Sequence, residues 1–107
     1  MRRGELYRVR KPAGDPKPSR VFVVASRSLV IESRQATVIC APVFSSRDGL
    51  AAQVDIGTDE GLKHDSAIHC DPLTSIPESA LTDYVGTLAS KELEAFDQAL
   101  RVALALD

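Results

Sequence analysis

Arg20 stands at the head of the run Arg-Val-Phe-Val-Val-Ala, and its guanidinium offers five N–H donors in a rigid fork suited to a phosphate or a carboxylate. The segment before it is stiffened by Pro12, Pro16 and Pro18, and the β-branched and aromatic residues after it favour a packed strand. A cation on so stiff a mount is fitted to meet a phosphate, although a surface ion pair would use the same residue. His69 and Asp71 form a second candidate pair. At i and i+2 on a strand they would share a face with Cβ atoms roughly 6.5–7 Å apart, too far to bond each other but close enough to flank one reacting group. An imidazole exchanges a proton near neutral pH and a carboxylate accepts one, so the pair suits acid–base work. An exposed polar sheet face would look the same. Ser45 and Ser46, just after an apolar run, offer hydroxyl and backbone donors to a phosphate, as serines in ordinary turns also do. No G-x-S-x-G, phosphate-loop or dinucleotide fingerprint occurs in the sequence.

Metal chemistry finds little support. Cys40, Cys70, His64 and His69 contain no C-x-x-C or H-x-x-x-H spacing, and the adjacent His69 and Cys70 would point to opposite faces of a strand. The two cysteines are expected as small core residues, with no metal and no cofactor. At 107 residues the chain suits one domain spanning 1–107, and 44% hydrophobic with 26% charged residues is an ordinary globular composition. No apolar run reaches membrane-spanning length, and no apolar stretch follows the charged Met-Arg-Arg-Gly-Glu start. A cytoplasmic protein without membrane contact is the expectation. The net charge of −2 hides an asymmetry. Residues 1–20 carry seven Arg/Lys against Glu5 and Asp15, a balance of +5, whereas residues 21–82 sum to −4 and residues 83–107 to −3. A basic end could attract an anionic polymer and an acidic end a cationic partner, or both could be solvated faces.

These residues need a framework, and the periodicities supply one. Gly4–Val9 alternates, with Leu6 and Arg8 on one side and Glu5, Tyr7 and Val9 on the other. Lys11–Ser19 reads as loop. Arg20–Ala25 is a central strand, with Phe22 and Val24 on one face and Val21 and Val23 on the other. Ser26–Gln35 is polar with room for a helical turn around Leu29-Val30-Ile31. Thr37–Val43 is a second buried strand whose Pro42 calls for an edge or a bulge. Gln53–Ile56 puts Val54 and Ile56 inward, and Gly57–Asp65 is a charged turn. Ser66–Asp71 is a strand with Ala67, His69 and Asp71 on one face; Leu73–Ile76 stays extended, and Leu81–Leu88 holds the last strand. From Ser90 the period changes. Leu93, Phe96, Leu100, Ala103 and Leu104 make an amphipathic helical stripe, with Ser90 as N-cap and Glu92 and Glu94 in the first turn. The fold class is therefore mainly β with a C-terminal helix, a small barrel-like antiparallel sheet with the helix packed on it.

The order of these pieces resembles the MazF/PemK toxins, the messenger-RNA interferases of toxin–antitoxin pairs. Arg3-Gly4-Glu5-Leu6-Tyr7 is similar to the family's opening, Arg20-Val21-Phe22-Val23-Val24 to its arginine-headed strand, and Ala41-Pro42-Val43-Phe44-Ser45 to its proline-containing strand end. Gly61-Leu62-Lys63-His64-Asp65-Ser66 followed by Cys70-Asp71, and the helix from Phe96-Asp97-Gln98-Ala99-Leu100 to Leu106, complete the likeness over nearly the whole length. The resemblance implies an SH3-like barrel of the MazF/PemK/CcdB type, a homodimer, and metal-independent, sequence-specific cleavage of single-stranded RNA to 2′,3′-cyclic phosphate and 5′-hydroxyl ends. It also implies neutralisation by a cognate MazE-like antitoxin. Arg20 falls on the family's catalytic arginine, Asp71 on an acidic position used as base, and His69 on a position where an arginine serves as acid. Lys17, Ser19, Phe44, Ser45 and Ser46 are the expected RNA contacts. The sequence departs from the pattern at Phe44, which replaces a threonine and could stack on a base, at Val21 and Pro72, and in the loop before Arg20. The alternative on the same barrel is a non-catalytic binding module such as a CcdB-like gyrase poison, which the terminal helix, lacking an exposed aromatic, disfavours.

Overall fold

A computed structural model describes residues 1–10, 14–27 and 36–106. Among these residues seven strands precede one α-helix: β1 (Glu5–Arg10), β2 (Ser19–Val24), β3 (Thr37–Phe44), β4 (Gln53–Ile56), β5 (Ser66–His69), β6 (Thr74–Pro77), β7 (Asp83–Thr87) and α1 (Ser90–Ala103). All pairings are antiparallel, in the order β4-β5-β3-β2-β1-β7 with β6 also on β3. The result is a half-barrel sheet with one C-terminal helix, as expected. The proposed turn in Ser26–Gln35 falls largely outside the described residues.

β3 is the spine. It pairs with β2 through Cys40–Pro42, while its other edge pairs with β6 through Thr37–Cys40 and with β5 from Val43 onward. Pro42, which has no N–H to give, lies where that second edge passes from β6 to β5, so the missing donor interrupts no ladder. The register then sets the site. The ladder ends with Phe22 opposite Pro42, and just beyond it the Arg20 side chain reaches across to the Phe44 ring. Phe44 pairs with Ala67, which makes His69 its diagonal neighbour.

Both faces of the sheet are covered, as the alternation of β2 predicts. Val21 and Val23 join Leu6, Ile68 and the helix residues Phe96 and Ala99 in one cluster. Phe22 and Val24 join Val9, Val38, Cys40 and Ile76 in the other. The cysteines are free and buried, one in each cluster, and loss of solvation pushes both thiols up to about 12. Arg3 ties the N-terminus to the helix: its Nε donates to the Ala25 carbonyl at 2.9 Å, it pairs with Asp97, and its guanidinium lies 5.6 Å from the centre of the Phe96 ring.

The helix corrects the sequence reading at both ends. Ala89, in extended conformation, is the N-cap, and Ser90 is the first helical residue with no side-chain cap bond. Leu104 lies beyond the last turn and is exposed, because Ala105 turns left-handed at φ 55°. The amide of Leu106 then bonds back to Arg101 and that of Ala105 to Val102, closing the helix in a Schellman motif. β5 likewise ends at His69 rather than Asp71, and β7 begins at Asp83 rather than Leu81.

Gly57–Asp65, expected as a charged turn, holds a 3₁₀ turn at Thr58–Glu60 that docks on β7. A Cβ on Gly86 would lie 2.1 Å from the Glu60 carbonyl oxygen, and one on Gly61, at φ +94°, 2.4 Å from that of Val85. Docking buries Glu60 to 7% exposure. Burial, and then the charges of Glu92 and Asp59, raise its carboxyl above the ordinary range, against an N–H bond from Gly57. Because the folded-state value is the higher one, the favourable contribution is complete at acid pH and fades as pH rises through that value. Glu60→Gln is therefore expected to raise Tm at pH 8 more than at pH 5, measured by thermal melts across that range; an equal shift at both would remove Glu60 as the cause.

Candidate functional site

The start of β2, the end of β3 and the segment entering β5 line a cleft of about 180 Å³. Arg20 lies on one wall, Phe44 and Ser45 on the second, and Lys63, His64 and Ser66 on the third. Arg8 and Lys17 add two more cations, and among the described residues that line the cleft none carries a carboxylate. Anions are drawn to such a hollow, and a partly enclosed wall screens the attraction less than open solvent.

Arg20 is held on three sides. Its Nε and Nη2 bond the two carboxylate oxygens of Asp15, the latter at 2.9 Å, and Nη1 donates to the Val43 carbonyl at 3.2 Å. The guanidinium lies over the Phe44 ring, 4.3 Å from its centre, a cation–π contact just past the last paired residues of β2 and β3. Side-chain exposures of 9% for Arg20 and 13% for Asp15 show how far the pair is withdrawn from solvent. The bond to Arg20, followed by the Lys17 amide at 2.9 Å, holds the Asp15 carboxyl down at about 2, so the pair stays charged at any working pH. Three of the five guanidinium N–H groups are engaged in these bonds, and two remain to bind an oxygen.

Of the sequence-predicted residues, Arg20, Lys17, Ser19, Phe44 and Ser45 line this one cleft. His69 touches it through Phe44, edge to face at 4.8 Å between ring centres. Its Nε2 lies 3.0 Å from the Ser46 carbonyl oxygen, which can only accept, so that nitrogen carries the proton; Nδ1 lies 3.5 Å from Gln53 Nε2. His69 thus holds the β3–β4 loop at Ser46 and braces Phe44. Asp71 is exposed in the turn after β5, with no hydrogen bond or ion pair among the described residues and no place in the cleft lining.

Sequence reasoning missed Arg8, Lys63, His64 and Asp15 as members of the site. Arg8 was legible as the same-face neighbour of Leu6, and Lys63-His64 lies inside a motif already quoted. Asp15 showed only as one negative charge among seven positive ones. Its placement needs the tight turn through Pro16 and Pro18, in which its own side chain takes up the Lys17 amide. Arg47 is a further surprise. It donates to the Ile56 and Ser66 carbonyls at 2.7 and 3.0 Å and so anchors the loop that carries Ser45 and Ser46 to β4 and β5.

Comparison with known proteins agrees with this arrangement. The model of the PemK-like, MazF-like toxins of type II toxin–antitoxin systems matches residues 2–104. Endoribonuclease MazF3 of Mycobacterium tuberculosis is 30% identical over 78 residues, which cover 73% of this chain and 76% of the relative. Among solved structures, the Mycobacterium tuberculosis toxin MazF-mt6 shares the fold with a TM-score of 0.80 at 24% identity, covering 96% of this chain and 98% of its own. An endoribonuclease from mycobacterial species, in complex with its cognate antitoxin, shares it with a TM-score of 0.79 at 21% identity over 100% and 97%. By the match of its whole framework, the chain belongs to the PemK-like, MazF-like toxin family of type II toxin–antitoxin systems.

Proposed function

We propose that the chain is an endoribonuclease toxin that cuts single-stranded RNA by transesterification and acts in the cytoplasm as a homodimer neutralised by a cognate MazE-like antitoxin. The observation that carries this reading is the Arg20 guanidinium, immobilised by Asp15 and the Val43 carbonyl on a cleft otherwise lined by cations, with two N–H groups left to donate. Attack of a 2′-hydroxyl on the adjacent phosphorus adds negative charge to the phosphoryl oxygens, and a preorganised donor aimed there lowers the barrier most. Arg8, Lys17 and Lys63 would hold flanking phosphates, while Ser19 and Ser45 offer hydroxyls to the strand. Phe44 presents a ring on which a splayed base could stack beside the arginine. In this reading His69 orients Phe44 and the Ser46 loop, and Asp71 offers an exposed carboxylate at the end of β5. Membership in the toxin family and the MazF3 relative, itself an endoribonuclease, support the enzyme over a gyrase-binding module. No helix among the described residues is long and apolar enough to cross a membrane.

The reading is tested by incubating the purified protein with a long single-stranded RNA in EDTA. Discrete fragments with 2′,3′-cyclic phosphate and 5′-hydroxyl ends are expected. Arg20→Ala should lower the rate by about 10²–10³-fold, the loss typical of one transition-state donor, while circular dichroism and gel filtration stay as in the parent. Full activity in that variant would remove the arginine from the chemistry.

Asp15 yields a separate expectation. Its charge cancels that of Arg20, so Asp15→Asn should tighten binding of a non-cleavable 2′-deoxy oligonucleotide roughly three- to tenfold at low ionic strength, with the gain shrinking as salt screens it. Unchanged affinity by fluorescence anisotropy would mean that the carboxylate serves only to orient the guanidinium.

A further inference from the structure

The endoribonuclease reading leaves one requirement unmet. A 2′-hydroxyl must lose its proton, yet neither His69 nor Asp71 lines the cleft that holds Arg20, and the Nε2 proton of His69 is engaged with the Ser46 carbonyl. The same cleft contains another histidine. His64 lies on the segment entering β5, exposed, and among the described residues its imidazole makes no hydrogen bond. Only its backbone is engaged, where its carbonyl accepts the Ser66 hydroxyl at 3.2 Å.

Resting on that reading and going beyond its residue assignments, we propose that His64 is the proton acceptor for the attacking 2′-hydroxyl. Three observations converge on it. It shares one hollow with the guanidinium that would hold the phosphate, so one nucleotide can face both. Among the described residues that line the cleft it is the one imidazole, a side chain suited to accept a proton, and the other ionisable groups there are the cations Arg8, Lys17, Arg20 and Lys63. Among the described residues its ring nitrogens make no hydrogen bond, whereas Asp15 is bonded to Arg20, and the exposed Asp65, its chain neighbour, lies 3.8 Å from Arg47 and does not line the cleft.

The chemistry balances without a further reagent. Neutral His64 takes the 2′-hydroxyl proton as the 2′-oxygen bonds to phosphorus. The bond from phosphorus to the 5′-oxygen breaks, and that oxygen leaves with a proton from water. The imidazolium returns its proton to the resulting hydroxide, and the products are a cyclic phosphate and a 5′-hydroxyl. Arg20 stabilises the charge gained at the phosphoryl oxygens during the exchange.

Single-turnover rates on an oligoribonucleotide between pH 5 and 8 test the assignment. The parent rate should rise with pH through the histidine range. His64→Gln should lower kcat by about 10²–10³-fold at neutral pH with KM changed less than about threefold, and should abolish the rise. His69→Gln should keep the rise whatever it does to the absolute rate. Added imidazole should restore at least about tenfold of the rate of His64→Ala but not of Arg20→Ala. A parent-like rate and pH limb in His64→Gln, or loss of the limb in His69→Gln instead, would overturn the proposal. A second readout needs no turnover: the ring signals of His64 should shift when the parent binds a 2′-deoxy oligonucleotide in an NMR titration. Absence of that shift overturns the assignment by itself, whereas failure of the parent to cut any RNA overturns the nuclease reading.

Discussion

The contact between Arg20 and its three supports is the constraint around which the cleft is built. A free arginine loses considerable side-chain entropy when it is ordered, and an isolated guanidinium withdrawn from water is costly. Here the Asp15 carboxylate satisfies the charge, the Val43 carbonyl takes one more donor, and the Phe44 face replaces part of the lost hydration. Ordering is thus complete before any ligand arrives. Counterion and platform come from different parts of the chain: Asp15 from a proline-stiffened loop, Val43 and Phe44 from the central strand.

That the three meet at all is decided by register. A slip of one residue between β2 and β3 would turn Phe44 away from Arg20 and would also swap the two faces of β2 between clusters. Since Val21 and Val23 pack against the helix side while Phe22 and Val24 pack against the β6 side, such a slip is opposed along the whole strand. Core packing and site geometry are therefore one choice of pairing. Arg47 and His69 extend the same logic to the β3–β4 loop, Arg47 reaching two backbone carbonyls and His69 one to fix it.

How much of this was legible in the sequence follows from where the signals are local. β2 could be read because Val21, Phe22, Val23 and Val24 form an unbroken β-branched and aromatic run, and Arg20 because it heads that run. The apolar stripe of α1 predicted Phe96 at the core. Its end was misread, since periodicity alone cannot register that Ala105 adopts a left-handed backbone. His69 and Asp71 looked like equals under alternation, but the chain leaves the sheet at Cys70, whose amide still bonds Ala52, and Pro72 lies in the turn that follows. Glu60 looked solvated because nothing in a charged turn announces a docking surface; the hint was Gly86, whose missing side chain leaves room for the turn. His64 and Asp15 enter the site through loop closure, which carries no periodic signature.

β3 has one more role that its position imposes. The residues that floor the cleft continue directly from residues that hold the sheet together, and Val43 belongs to both. A backbone segment bound on both edges opens only when the entire domain opens, unlike a catalytic loop that frays by itself. Proteases and chaperones would thus meet the floor of the cleft either intact or denatured with the whole sheet, whereas the loops that carry Lys17 and His64 can open without it.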